Sequence, residues 1–528
     1  MQRQLVLASL VLVLLAAPLL AASPAGVVDP HVKTDTSVDW RTVDSVIKSV
    51  VKKGMTDEEK VLAVFHTVRR MYVHGPTPER LAYDFHKAIQ VLGTGACLTM
   101  TTPLQVLYDR MGYKCRSWVH DGHHMMEVFY GDSWHCLDPH MSFYCYDRST
   151  PPKIASVQQL QEDPTLAGDA VQEGRAGKGY LLCGDSPKWF AGKQGRWYIE
   201  SRGQWPKMKI DEPFGRITLR RGESYVRTWA PGKYWYKKGW LTQDGCGPIH
   251  HCGPADRKDS ANWPLFEPHA AKPPIGSQAG RTFYKIYGVG RLLYAPALQG
   301  GRYADAVVRQ SNVALAERDG VAFLQQKDSA KPGEVVFSVA CPYVITAGEL
   351  GLARAGKGSI TAEVSTDAGK SWKALKLAAV GEMTFTSEEQ DKLRVGSGRF
   401  AIARPRSASF KCDKLAATFV DEVNGSFEGY WLKLTLTGGV QMGKPELTSH
   451  FQLNRFSLPY FVPGRNVVSV TAEGYGSPLS VTCKWAEGPG WATAKSMTRT
   501  FRKDGRVEVQ VAGPKWPRME SLTLSVAP

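Results

Sequence analysis

GHHMMEVFYGDSWHCLDP, residues 122–139, holds three histidines, one cysteine and three acidic residues in a stretch that alternates with the two-residue period of a strand. His123 to Tyr130 and Ser133 to Leu137 read as two strands, and Gly131-Asp132 between them suits a hairpin turn. Alternation gives His123, Met125 and Glu127 one face of the first strand, and His124, Met126 and Val128 the other. Only one of the two histidines can therefore face a given neighbour. Asp138 ends the second strand, where it can reach back across the hairpin to an imidazole.

Upstream the hydrophobic period changes from two to that of a helix. Val43, Val46, Ile47, Val50 and Val51 form one apolar stripe, and Val61, Leu62, Phe65, Val68 and Met71 another, opened by the capping box Thr56 with Glu59. A third stripe, Leu104, Leu107, Tyr108 and Met111, follows Cys97 and ends at Gly112, a residue suited to a helix C-terminus. Helices followed by antiparallel strands predict an N-terminal α+β domain over residues 23–195. Beyond it, short β-rich runs alternate with Gly, Pro and Asn turns, predicting a β-rich domain over 196–335 and β-sandwich-like domains over 336–450 and 451–528. The fold class is thus multidomain, α+β first and β-sandwich-like after.

Composition narrows the setting. Residues 1–22 combine Arg3, an apolar run broken by Pro18, and small residues before a cut near Ala22 or Ala25, which reads as a secretory signal. No later apolar run reaches the roughly 18 residues of a membrane span, so the expectation is a secreted or periplasmic protein. The formal net charge of +16 is spread along the chain, which favours contact with anionic polysaccharide or cell-wall material and argues against nucleic acid. Ten cysteines in an exported chain predict disulfides, with Cys136 and Cys145 one candidate bridge.

Cys97, in GTGACLTM, precedes a helix whose first-turn N–H groups and dipole favour a thiolate. With a histidine from the following strand and Asp138, it supplies a nucleophile, a base and a group to orient the base. The alternative for Cys97 is a disulfide, and His124 is the alternative to His123.

GTGACLTMTTPLQVLYDRMGYKCRSW followed by GHHMMEVFYGDSWHCLDP resembles the transglutaminase-like superfamily over about residues 56–145. The resemblance implies a papain-like Cys-His-Asp core. It assigns the nucleophile to Cys97, the aspartate to Asp138, and the histidine four positions before Glu127 to His123. Two departures stand out: Pro103 falls inside the nucleophile helix and predicts a kink or a later start, and Leu98, Thr99 and Met100 stand where the family often has an aromatic residue.

These residues predict an exported thiol enzyme acting on amide or peptide bonds through a thioester, as a peptidase, amidase or transglutaminase, with a protein or peptide substrate. The mechanism calls for no cofactor and no metal. The rival is a non-catalytic extracellular protein that uses the same scaffold and its β-domains to bind polysaccharide or protein. Two further motifs stay structural in this reading. Asp244, Cys246, His250, His251 and Cys252 are read as a loop closed by a disulfide rather than a metal site, and Ser365 to Trp372 resembles a single Asp-box turn. The aromatic segment Trp229–Trp240 can stack on sugars, though core packing is the plainer account.

Overall fold

A computed structural model describes residues 26–74, 83–95, 97–120, 123–139, 143–170, 172–177, 199–200, 207–230, 233–234, 236, 288–318, 321–386 and 409–528. The signal-like residues 1–22 and the Asp244–Cys252 cluster lie outside them, as does most of the segment from Trp229 to Trp240.

Helix α1 (Val43–Val50) and helix α2 (Asp57–Arg70) each open on a capping box. In α2 the Glu59 N–H donates to the Thr56 hydroxyl at 3.2 Å and the Thr56 N–H to the Glu59 carboxylate at 2.8 Å, satisfying two end donors at once. Helix α3 (Cys97–Arg110) runs on to Gly112, whose φ of +87° supplies the left-handed stop. Strands β1 (Lys114–His120), β2 (His123–Tyr130) and β3 (Ser133–Leu137) then form an antiparallel meander, joined at its edge by Ile199–Glu200. The β2–β3 turn has Gly131 at φ +53° and Asp132 at +66°, the two positive values that a tight two-residue hairpin requires.

One apolar cluster binds helices to sheet. Val61, Phe65 and Val68 of α2, Met100, Leu104 and Leu107 of α3, and Met126, Val128 and Leu137 of the strands are all buried in it. Its driving force is burial of these faces, at about 1.5–3 kcal/mol for each fully buried large side chain. The opposite face of the meander meets a second cluster built from Met125, Cys136, Phe143, Cys145 and Val157. Val157 opens helix α4 (Val157–Glu162), capped by Ser156.

The rest of the chain is β-rich and sandwich-like. One twelve-stranded sheet places Val344–Ala355, Glu446–Leu453, Gly288–Tyr294, Glu223–Thr228 and Arg518–Val526 side by side. A five-stranded sheet centres on Tyr430–Thr437, whose residues are alternately buried and half-buried, as a strand with one face on a core must be. Side chains of both sheets share one large core. Strands from either side of residues 335 and 450 lie within the same sheet, so the β-units are continuous rather than strung in a row. Residues 27–34 join them too: His31–Thr34 pairs with Gly464–Thr471, and Val27–Val28 lies between Gly474–Tyr475 and Thr218–Leu219. Among the described residues no helix is long and apolar enough to cross a membrane.

Candidate active site

Cys97 is delivered to the head of α3 by a short, closely fitted approach. A π-turn (Ala88–Leu92) ends at Gly93 with φ +55°, and Thr94–Gly95 then pairs in parallel with Val73–His74. A Cβ at Gly95 would lie 2.4 Å from the Thr99 hydroxyl, so the backbone can come this close to the helix only without a side chain.

Despite Pro103, α3 is helical from Cys97 onward, neither delayed nor cut short. Proline removes one N–H donor, and the turn before it carries hydroxyls that bond back to helix carbonyls. Thr101 donates to the Cys97 carbonyl at 3.1 Å and the Leu98 carbonyl at 3.0 Å, and Thr102 to the Leu98 carbonyl at 2.6 Å.

The seven described cysteines are all thiols, so the expected Cys136–Cys145 bridge is not formed. Cys136 instead packs in the second apolar cluster with its sulfur 3.9 Å from that of Met125. Burial pushes the Cys136 thiol well up and raises Cys145, Cys341 and Cys483 to about 12; Cys115 and Cys412 are raised by the same cause. Six thiols are thereby held protonated in apolar surroundings. Cys97, half-buried, stands alone among the seven in opening a helix.

Pairing between β1, β2 and β3 is regular throughout, so strand parity assigns the remaining positions. Position 124 shares parity with Met126 and Val128, which pack against α3. Position 123 shares parity with Met125 and Glu127, on the opposite face. Leu137 sits across from Met126 and Cys136 across from Glu127, so Asp138 has the parity of the Glu127 face. Its side chain is fully buried, and its backbone exchanges two 2.9 Å hydrogen bonds with Phe143. Positions 123 and 138 thus share one face, and position 124 shares the other with helix α3. The side chain of His123, like His140 in whole, lies outside the described residues.

Glu127 is fixed as a structural carboxylate. Fully buried, it accepts from Arg116 Nε at 2.5 Å, from the Val157 N–H at 2.7 Å and from Trp118 Nε1, joining β1, β2 and the head of α4. The Arg116 guanidinium lies 4.2 Å from the Trp134 ring centroid and 5.0 Å from that of Trp118. Arg116 and Trp118 alternate on the neighbouring strand, opposite Glu127 and Met125, so both reach the Glu127 face. His135 is structural as well: Nδ1 donates to the Ile154 carbonyl at 2.7 Å, and the ring stacks on Tyr130 at 3.8 Å.

At a distance, the Asp-box-like turn closes as its residues demand. Asp367 accepts from Ser365 at 2.7 Å and Ser371 at 2.5 Å, Gly369 has φ +82°, and Trp372 Nε1 donates to the Gly369 carbonyl at 3.1 Å.

No protein-family model and no curated protein matches the chain. Among solved structures, the pilus backbone of Streptococcus pneumoniae is similar at 10% identity with a TM-score of 0.09, over 37% of this chain and 43% of that one. The chain therefore spans less than half the length of that protein, and a likeness this slight carries no argument.

Proposed function

We propose that the α+β unit is a transglutaminase-like catalytic domain and that the protein is an exported thiol enzyme acting on amide or peptide bonds. Cys97 attacks the carbonyl carbon while a histidine takes its proton. The C–N bond breaks as that proton passes to the departing nitrogen, and a thioester remains on Cys97. Water releases an acid, as in a peptidase or amidase; a primary amine releases a new amide, as in a transglutaminase. Peptide hydrolysis is the outcome favoured for a chain with a signal-like leader at residues 1–22.

The observation that carries this reading is a half-buried thiol heading a helix, beside a sheet whose next-door strands bear a histidine pair and a fully buried aspartate. His123 is the leading base, because it shares the parity of Asp138, which would orient it. A second reading makes His124 the base, favoured by its parity with the face packed on α3.

The test compares wild type with Cys97→Ala on a peptide library, on a glutamine peptide with a fluorescent primary amine, and on cell-wall peptide. Cleavage or amine incorporation by wild type, abolished in Cys97→Ala, is the expected result. Activity that survives in Cys97→Ala overturns the assignment. A Cys97 inert to both substrate and alkylating agent leaves the scaffold reading, a binding protein for polysaccharide or protein.

A further inference from the structure

We infer that Asn454, which lies in the β-rich region, is a positioning residue for Cys97, so that the β-region completes the active site rather than merely accompanying it. The inference rests on Cys97 being the nucleophile. Asn454 follows the strand Glu446–Leu453 of the large sheet and is 2% exposed. Its Nδ2 donates to the Met71 carbonyl at 2.8 Å and to the Ile89 carbonyl at 2.6 Å, across 383 and 365 positions of sequence. Its backbone N–H adds a bond to the Gln90 carbonyl at 2.7 Å, and its Oδ1 accepts from the Phe456 N–H at 3.1 Å. Both N–H donors of this amide are directed at the helical unit, while its oxygen accepts locally.

The carbonyls it holds have a common consequence. Met71 leads into Val73–His74, whereas Ile89 and Gln90 belong to the π-turn that leads into Thr94–Gly95. Those two short strands are the parallel pair from which Cys97 emerges. One amide therefore ties down both roots of the approach. Gly93, between the π-turn and the pair, is shaped to admit it: a Cβ there would lie 2.4 Å from Asn454 Nδ2. A π-turn is an uncommon geometry that needs such support and recurs at functional sites. Only a group with two N–H donors on one nitrogen can bridge the Met71 and Ile89 carbonyls, so an isosteric aspartate cannot replace it.

The test measures alkylation of Cys97 by iodoacetamide against pH in the full chain, for wild type, Asn454→Asp and Gly93→Ala, with Leu434→Ala as a control buried in the five-stranded sheet. Alkylation by a small reagent follows the thiolate fraction and access of the cysteine, so both site variants should slow it severalfold at pH 6 and move its midpoint upward. Leu434→Ala should lower the melting temperature yet keep the wild-type profile, which separates positioning from general stability. Gly93→Ala should also cost less in an Asn454→Ala background, where the close approach is relieved. A folded Asn454→Asp with the wild-type rate and midpoint overturns the inference. If that variant does not fold, an unchanged profile in Gly93→Ala does so. A wild-type Cys97 that is itself unreactive at pH 6 defeats the underlying reading instead, and this inference with it.

Discussion

The two faces of β2 are one residue apart and do different work. On one, Met126 and Val128 join Met100, Leu104 and Leu107 of the Cys97 helix in one buried apolar cluster. On the other, Glu127 gathers Arg116, Trp118 and the head of α4, next to a buried thiol and the buried Asp138. A strand can separate packing from polar chemistry this finely because its side chains alternate with period two. The pair His123–His124 straddles that divide, which is why one histidine shares parity with the aspartate and the other with the helix.

Breaking the polar face should cost most. Glu127→Ala removes a fully buried charged acceptor from three donors, a loss of about 3–5 kcal/mol at roughly 1.5–3 kcal/mol per hydrogen bond to a charged group, with Arg116, a third exposed, partly compensated by water. A shift in urea midpoint equivalent to less than ~1 kcal/mol would show that Glu127 does not join these elements. On the apolar face, Met126→Ala should cost about 2–4 kcal/mol through lost burial and a cavity, read in the same way. Cys136→Ala, back on the polar side, should cost only about 1 kcal/mol and leave Cys97 alkylation unchanged, since its thiol is packing rather than chemistry. Native-state labelling of Cys136 at a rate rivalling Cys97 would contradict that division.

The smallest effect lies off the sheet. His86 is fully buried, stacked on Phe214 at 5.6 Å, and burial lowers its pKa below 6.5 although Glu212 opposes this. The unfolded chain therefore takes up its proton first as pH falls. The stability due to neutral His86 is complete above pH 6.5 and is lost as pH drops toward the folded value. Urea midpoints between pH 7.5 and 5 should decline in wild type, and His86→Gln should decline less steeply.

Features fixed by neighbouring residues were legible in the sequence. The Thr56–Glu59 box, the Gly112 stop, the Gly131-Asp132 turn and the Asp367 turn each depend on side chains or φ values within a few positions. Sequence spacing could also divide His123 from His124, but not tell which face the helix would cover, because that depends on packing between segments. The cysteines misled for the same reason. Export chemistry predicts bridges by count, whereas Cys136 and Cys145 are each 1% exposed in apolar packing without a bond between them. The role of Asn454 had no local signal: the Met71 and Ile89 carbonyls it holds lie more than three hundred residues upstream. Pro103 predicts a kink or a later start, yet the helix runs from Cys97 to Arg110, with the hydroxyls of Thr101 and Thr102 bonding back to the carbonyls of its first turn.

The central claim, that Cys97 is a nucleophile activated by a histidine of β2, is tested most directly by the pH dependence of its alkylation in wild type, His123→Ala and His124→Ala, with the labelled residue identified by mass spectrometry. An ordinary thiol is only about 0.3% ionised at pH 6, whereas an ion-paired one is mostly thiolate but a weaker nucleophile, so wild type should react about tenfold faster than an unactivated cysteine. The account predicts that His123→Ala loses that advantage and His124→Ala keeps most of it. Wild-type Cys97 alkylated no faster at pH 6 than an unactivated thiol, with neither histidine substitution changing its rate, would contradict it.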